Sequence, residues 1–132
     1  MKKIIVVCAL LVLSCSFFKT DTIDYSGVWK FKADSNIFTL KISQSGTALS
    51  GTHCCSLFRG EKIDCGVEPA DVSITGVASD ADSVMVTFKS YFSNETGQAT
   101  IKKISPTQIR WIIRQEPVGE YYLLPDVILA KD

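Results

Sequence analysis

The sequence predicts an all-β domain, an antiparallel up-and-down meander of about eight strands closing, or nearly closing, into a small barrel. Three observations carry this. Apolar residues recur with a period of two through most of the chain. Turn-forming clusters separate these runs at short intervals. No segment sustains a 3.6-residue period beyond two turns, and fixed-period repeats and low-complexity tracts are absent.

In chain order, the first element is a targeting segment rather than part of the fold. Met1-Lys2-Lys3 is positive, Ile4 to Leu13 gives ten apolar residues, and Ser14, Cys15 and Ser16 follow. A charged start, a short apolar run and small residues describe a signal peptide over 1–14. Ten residues rising about 1.5 Å each reach about half of a roughly 30 Å bilayer core, which disfavours a membrane span. Val12-Leu13-Ser14-Cys15 resembles a bacterial lipobox, which implies lipidation of Cys15. Cleavage without lipidation and retention of an uncleaved anchor are the alternatives. Residues 15–24, with two Thr, two Asp and one Lys, read as a polar tether ahead of a domain spanning 25–132.

Within that domain the strands are expected near 27–33, 37–43, 47–56, 71–77, 83–90, 97–104, 108–114 and 126–130. Trp29 and Phe31 alternate with lysines, and Phe38, Leu40 and Ile42 alternate with Thr39, Lys41 and Ser43. Val72 and Ile74 are expected to face inward and Ser73 and Thr75 outward, and Val84, Val86 and Phe88 continue the pattern. Ile109, Trp111 and Ile113 should point in, which places Arg110 and Arg114 on the wet face. A short piece at 62–65 extends the third strand's hairpin around Arg59-Gly60-Glu61. The chain of 132 residues makes one domain that closes as a barrel or folds as a sandwich, and closure removes exposed edges.

Tyr25-Ser26-Gly27-Val28-Trp29 opens the first strand, Ser50-Gly51-Thr52 lies on the third, and Thr107 to Ile113 surrounds Trp111. These segments resemble the calycin group, the avidins in particular, and also lipocalin-type barrels. The resemblance implies an up-and-down barrel with Trp29 plugging one end and a ligand site drawn from Trp29, Phe31, Ser35, His53 and Trp111. Phe31 and His53 stand where the avidin pattern has an asparagine and a tyrosine, and only Ser35 matches. A polar ligand group left unpaired there costs about 1–3 kcal/mol each, so biotin binding is expected to be absent or many orders weaker.

An exported compartment permits disulfides among Cys54, Cys55 and Cys65. Leu49, Cys55 and Leu57 share a parity, which makes Cys55 a buried hydrophobe and favours Cys54–Cys65, with Cys55–Cys65 as the alternative. A zinc site at His53, Cys54 and Cys55, completed by Cys65 or Asp64, is disfavoured, since adjacent strand residues point to opposite faces and cannot all converge on one ion. Fourteen basic and fourteen acidic residues give no surplus that calls for nucleic acid. No nucleophile motif, phosphate loop or metal spacing is visible, and Asp80 and Asp82 flank a turn tip. Asn94-Glu95-Thr96 has the form of a glycosylation sequon but reads as a turn.

The resulting expectation is a non-catalytic binding module of the bacterial cell envelope, without cofactor. It would hold a small apolar or amphipathic ligand in the barrel and touch the membrane only through Cys15. The alternative is a periplasmic inhibitor or immunity-type protein that recognises another protein through loops or the Tyr121-Tyr122 region. A large cavity between the tryptophans favours the first; a filled interior beside an exposed aromatic patch favours the second.

Overall fold

The structure, a computed structural model, describes residues 21–66 and 71–132. The segment 1–14 read as a signal peptide, Cys15 and the first part of the expected tether lie outside the described residues.

Nine strands form: β1 (Gly27–Ala33), β2 (Asn36–Ser45), β3 (Ala48–Leu57), β4 (Lys62–Cys65), β5 (Ile74–Val77), β6 (Ser83–Lys89), β7 (Thr96–Ser105), β8 (Gln108–Gln115) and β9 (Asp126–Lys131). All pairings are antiparallel, and β1 pairs with both β2 and β9. The ring β1-β2-β3-β5-β6-β7-β8-β9 is therefore a closed eight-stranded barrel, with β4 as an extra strand. Barrel closure satisfies the strand edges that an open meander leaves exposed.

β4 and β5 occupy the same flank of β3. Leu57 to Cys54 face Lys62 to Cys65, and Gly51 to Ala48 face Ile74 to Val77. The two short strands thus run in line along β3, like one stave interrupted between Cys65 and Ile74. That break corrects the alternation expected across 71–77. Val72 is 55% exposed and Ser73 is buried, because the stave resumes at Ile74 and Ser73 is drawn inward beside it.

Elsewhere the period-two reading matches the packing. Trp29, Phe38, Leu40, Ile42, Leu49, Cys55, Val84, Val86, Phe88, Ile109 and Trp111 are buried, while Arg110 and Arg114 are exposed. Cys54 and Cys65 stand directly opposite in register and form the disulfide; Cys55 is a free, buried thiol that burial pushes up to about 11. Residues 23–25 are stitched to the barrel, Ile23 N–H donating to Ser79 O and the Gln44 side chain bonding Ile23 O and Tyr25 N–H.

The two barrel ends differ. The lower end carries the tight β2–β3 and β7–β8 turns, the β5–β6 turn and the entry to β1. The upper end carries the tight β1–β2 turn, the β3–β4 connection and the longer β6–β7 and β8–β9 connections.

Candidate functional site

Two places hold unusual chemistry, the barrel interior with its tryptophans and the upper end around Asp64. The interior is filled. Trp29, Trp111, Phe38 and Phe88 are each 0% exposed, so no space the size of a water adjoins them. Trp111 meets Phe38 and Phe88 edge to face, with centroids 5.6 and 5.4 Å away, and its indole N–H donates to Leu124 O. Trp29 sits at the lower end, its indole N–H donating to Tyr25 O at 2.9 Å. Side chains fill most small barrels in this way.

Of the five residues singled out as ligand candidates, Trp29 and His53 share a cross-strand row through Leu40, and Phe31 pairs with Phe38, which touches Trp111. Trp29 lies at the lower end and Trp111 in the aromatic core. Phe31 is half-buried across from Phe38, and Ser35 sits in the β1–β2 turn, where its carbonyl accepts from Arg59 N–H. His53 points inward from β3 and is enclosed at the break between β4 and β5.

What holds His53 is a buried polar cluster. Its Nδ1 lies 2.7 Å from Ser73 Oγ, and its Nε2 lies 2.9 Å from Asp64 Oδ1. The Tyr91 ring covers the imidazole at 4.8 Å, while the Tyr91 hydroxyl donates to Asp71 O. Gly66 permits this cover, since a Cβ there would sit 2.8 Å from the Tyr91 ring.

Asp64 is the centre of the cluster. Its side chain is fully buried, yet Oδ1 also accepts from Tyr91 N–H at 2.8 Å, and Oδ2 accepts from Ser90 Oγ at 2.6 Å and Tyr122 N–H at 3.1 Å. Burial alone would raise the carboxyl; donation from His53, Ser90 and the two amides outweighs it and holds Asp64 below the usual carboxylate range. One anion thereby ties together β3, β4, the β6–β7 connection and the β8–β9 connection. Among the described residues no buried side-chain nitrogen or oxygen lacks a partner.

Ser73, His53 and Asp64 form a buried serine–histidine–carboxylate hydrogen-bonded chain. Ser73 Oγ also accepts from the His53 backbone N–H, and all three residues are 5% exposed or less. Cys54 leaves β3 on the outer face, while Cys55 and His53 are buried. Among the described residues no three His, Cys, Asp or Glu side chains gather as a metal site.

Sequence reasoning treated Asp64 only as a candidate zinc ligand and did not find Ser73 or Ser90. The register held a usable signal. Pairing Cys54 with Cys65 sets Asp64 opposite Cys55, and so turns the carboxylate inward with it.

The upper end also exposes an aromatic surface. Phe92, 53% exposed, packs edge to face on Tyr122 at 4.6 Å, and Lys62 Nζ lies 5.0 Å from the Tyr122 centroid. The Tyr121 and Tyr122 hydroxyls are anchored by Glu116 and Glu120. In the β3–β4 turn Phe58 and Arg59 adopt φ of 53° and 58°, and Phe58 is left 54% exposed. Left-handed backbone at consecutive non-glycine residues costs about 1 kcal/mol or more each. Here the Asn36 side chain and the Ser35 carbonyl hold it in place.

The fold is compatible with a calycin-type barrel, but no protein-family profile, curated protein or solved structure matches the chain.

Proposed function

We propose that the protein is a non-catalytic, envelope-anchored binding module that recognises another protein through its upper end. The observation that carries this reading is the Phe92–Tyr122–Lys62 surface standing over a filled barrel. A half-exposed aromatic pair beside a cation is the composition of an interface anchor. The buried Asp64 holds the backbone at Tyr91 and Tyr122, so the patch is preorganised and loses less freedom on binding.

Calycin-type ancestry remains part of the proposal as an origin for the barrel. The filled interior favours an outward binding mode over a ligand held between the tryptophans. Biotin in particular has no polar cradle of the avidin kind, with Phe31 and His53 at the relevant places and His53 committed to Asp64 and Ser73. Export and lipidation at Cys15 rest on the sequence of the first fifteen residues. They would hold the domain at the envelope.

Site-specific photocrosslinking in the producing cell tests the reading. A crosslinker in place of Phe92 should give one discrete protein adduct. The same group in place of Met85, which is 57% exposed on the barrel wall, should give none. Equal labelling at both positions, or no protein adduct at residue 92, contradicts it.

A further inference from the structure

At the lower end, two inward-facing positions carry lysine where the strand pattern calls for an apolar residue. Lys103 follows Ala99 and Ile101 on β7, and Lys131 follows Val127 and Leu129 on β9, all four of them buried. Both ammonium groups lie over the same indole, 4.9 and 5.4 Å from the Trp29 centroid. Both also wall an open recess of about 550 Å³ between residues 21–24, the β7–β8 turn and the end of β9.

We infer that this recess is a binding site for a small monocarboxylate with a compact apolar body, its carboxylate seated between Lys103 and Lys131 and its body against Ile23, Ile104 and Pro106. The site lies at the opposite end from the protein-recognition surface and stands independently of it.

Charge supports the choice. Among the described residues no carboxylate lies within ion-pair distance of either ammonium. Lys103 donates only to a carbonyl, Asp24 O, at 2.9 Å, while the Asp24 carboxylate is turned to Ser26 N–H. Burial and then the neighbouring Lys131 push Lys103 below its ordinary value, and the Asp24 charge opposes them only in part. Asp21 and Asp24 also line the recess, which repels a polyanion more strongly than a single carboxylate held at the lysines. The volume falls within the roughly 300–1,000 Å³ of small-molecule sites. Lysine stems covering an aromatic ring are common without any ligand, and the test must separate that packing role from binding.

The probe is 3-phenylpropanoate, titrated into the whole exported chain and followed by calorimetry and by the indole N–H resonances. Saturable one-to-one binding is expected. The Trp29 indole signal should shift and the Trp111 signal should stay in place. The neutral isostere 3-phenylpropanamide should bind at least tenfold more weakly to the unaltered protein, a comparison that no folding defect can distort. Lys131→Gln should weaken the acid at least tenfold, and Lys30→Gln, on the outer face in an ion pair with Asp132, should leave it unchanged. Four results would each overturn the assignment: no saturable binding, equal affinity for acid and amide, an unaffected Lys131→Gln protein, or a shift centred on Trp111.

Discussion

The two ends of this barrel solve the same problem with opposite materials. The lower end is closed by short turns and by hydrophobic bulk. Trp29 fills it, the 23–25 segment is hydrogen-bonded across it, and two lysine stems cover the indole. The upper end has long connections and an interrupted stave, so backbone ladders cannot complete it. An ionised carboxylate does so instead, collecting donors from His53, Ser90, Tyr91 and Tyr122. A buried anion is tolerable only when its donors are complete, which makes the upper end less forgiving of a single change.

The largest effect should therefore come from Asp64→Ala. Removing one member of a buried, hydrogen-bonded charge cluster costs about 3–5 kcal/mol, because the remaining donors are stranded. Urea denaturation should show a loss in the upper part of that range. A loss under about 1 kcal/mol would mean water replaces the carboxylate, and the contrast between the ends would collapse.

Trp29→Ala should follow. Deleting a large buried aromatic typically costs about 3–5 kcal/mol, and the lower part of that range is expected here, since the lysine stems can settle into the space. An unchanged melting temperature would show that Trp29 does not plug the lower end.

Next in size is the Cys54–Cys65 bridge, which closes a short loop across residues bordering His53 and Asp64. Replacing both cysteines by serine should lower stability by about 2–3 kcal/mol, the chain-entropy value for such a loop. A much larger drop would indicate that the bridge also positions the His53–Asp64 pair.

The smallest effect is graded with acidity. Asp64 is held below its unfolded value, so its contribution is fully present above the ordinary carboxylate range near pH 4 and is lost as pH falls through its folded value. Stability should decline below about pH 4, and the decline should be shallower in Asp64→Asn. Identical acid profiles for the two proteins would remove the carboxylate from the account.

How much of this was legible beforehand depends on the kind of residue. Apolar alternation marks which face is buried, so Phe38, Leu40 and Ile42, or Ile109 and Trp111, could be assigned inward from the sequence, and they are buried. The same alternation misled at Val72 and Ser73. A stave that stops at Cys65 and resumes at Ile74 can change face without any break in composition. Asp64 was hidden for a related reason. A charged residue at an inward position contradicts the pattern, and its four donors come from residues 11 to 58 positions away. Tyr121 and Tyr122 could be marked as recognition residues by type, but the partnership of Tyr122 with Phe92 and Lys62 is a tertiary fact.

The most direct test of the carboxylate's role is amide hydrogen exchange measured residue by residue in the native protein and in Asp64→Asn. An asparagine keeps the shape but replaces one acceptor oxygen with a donor. The amides of Tyr91 and Tyr122, bonded to different oxygens of Asp64, should be protected in the native protein. At least one should lose protection in the variant. Ile23 and Lys131, whose amides donate to Ser79 O and Thr107 O at the lower end, should keep theirs. Equal loss at both ends, or none at either, would contradict the claim that Asp64 organises the upper end.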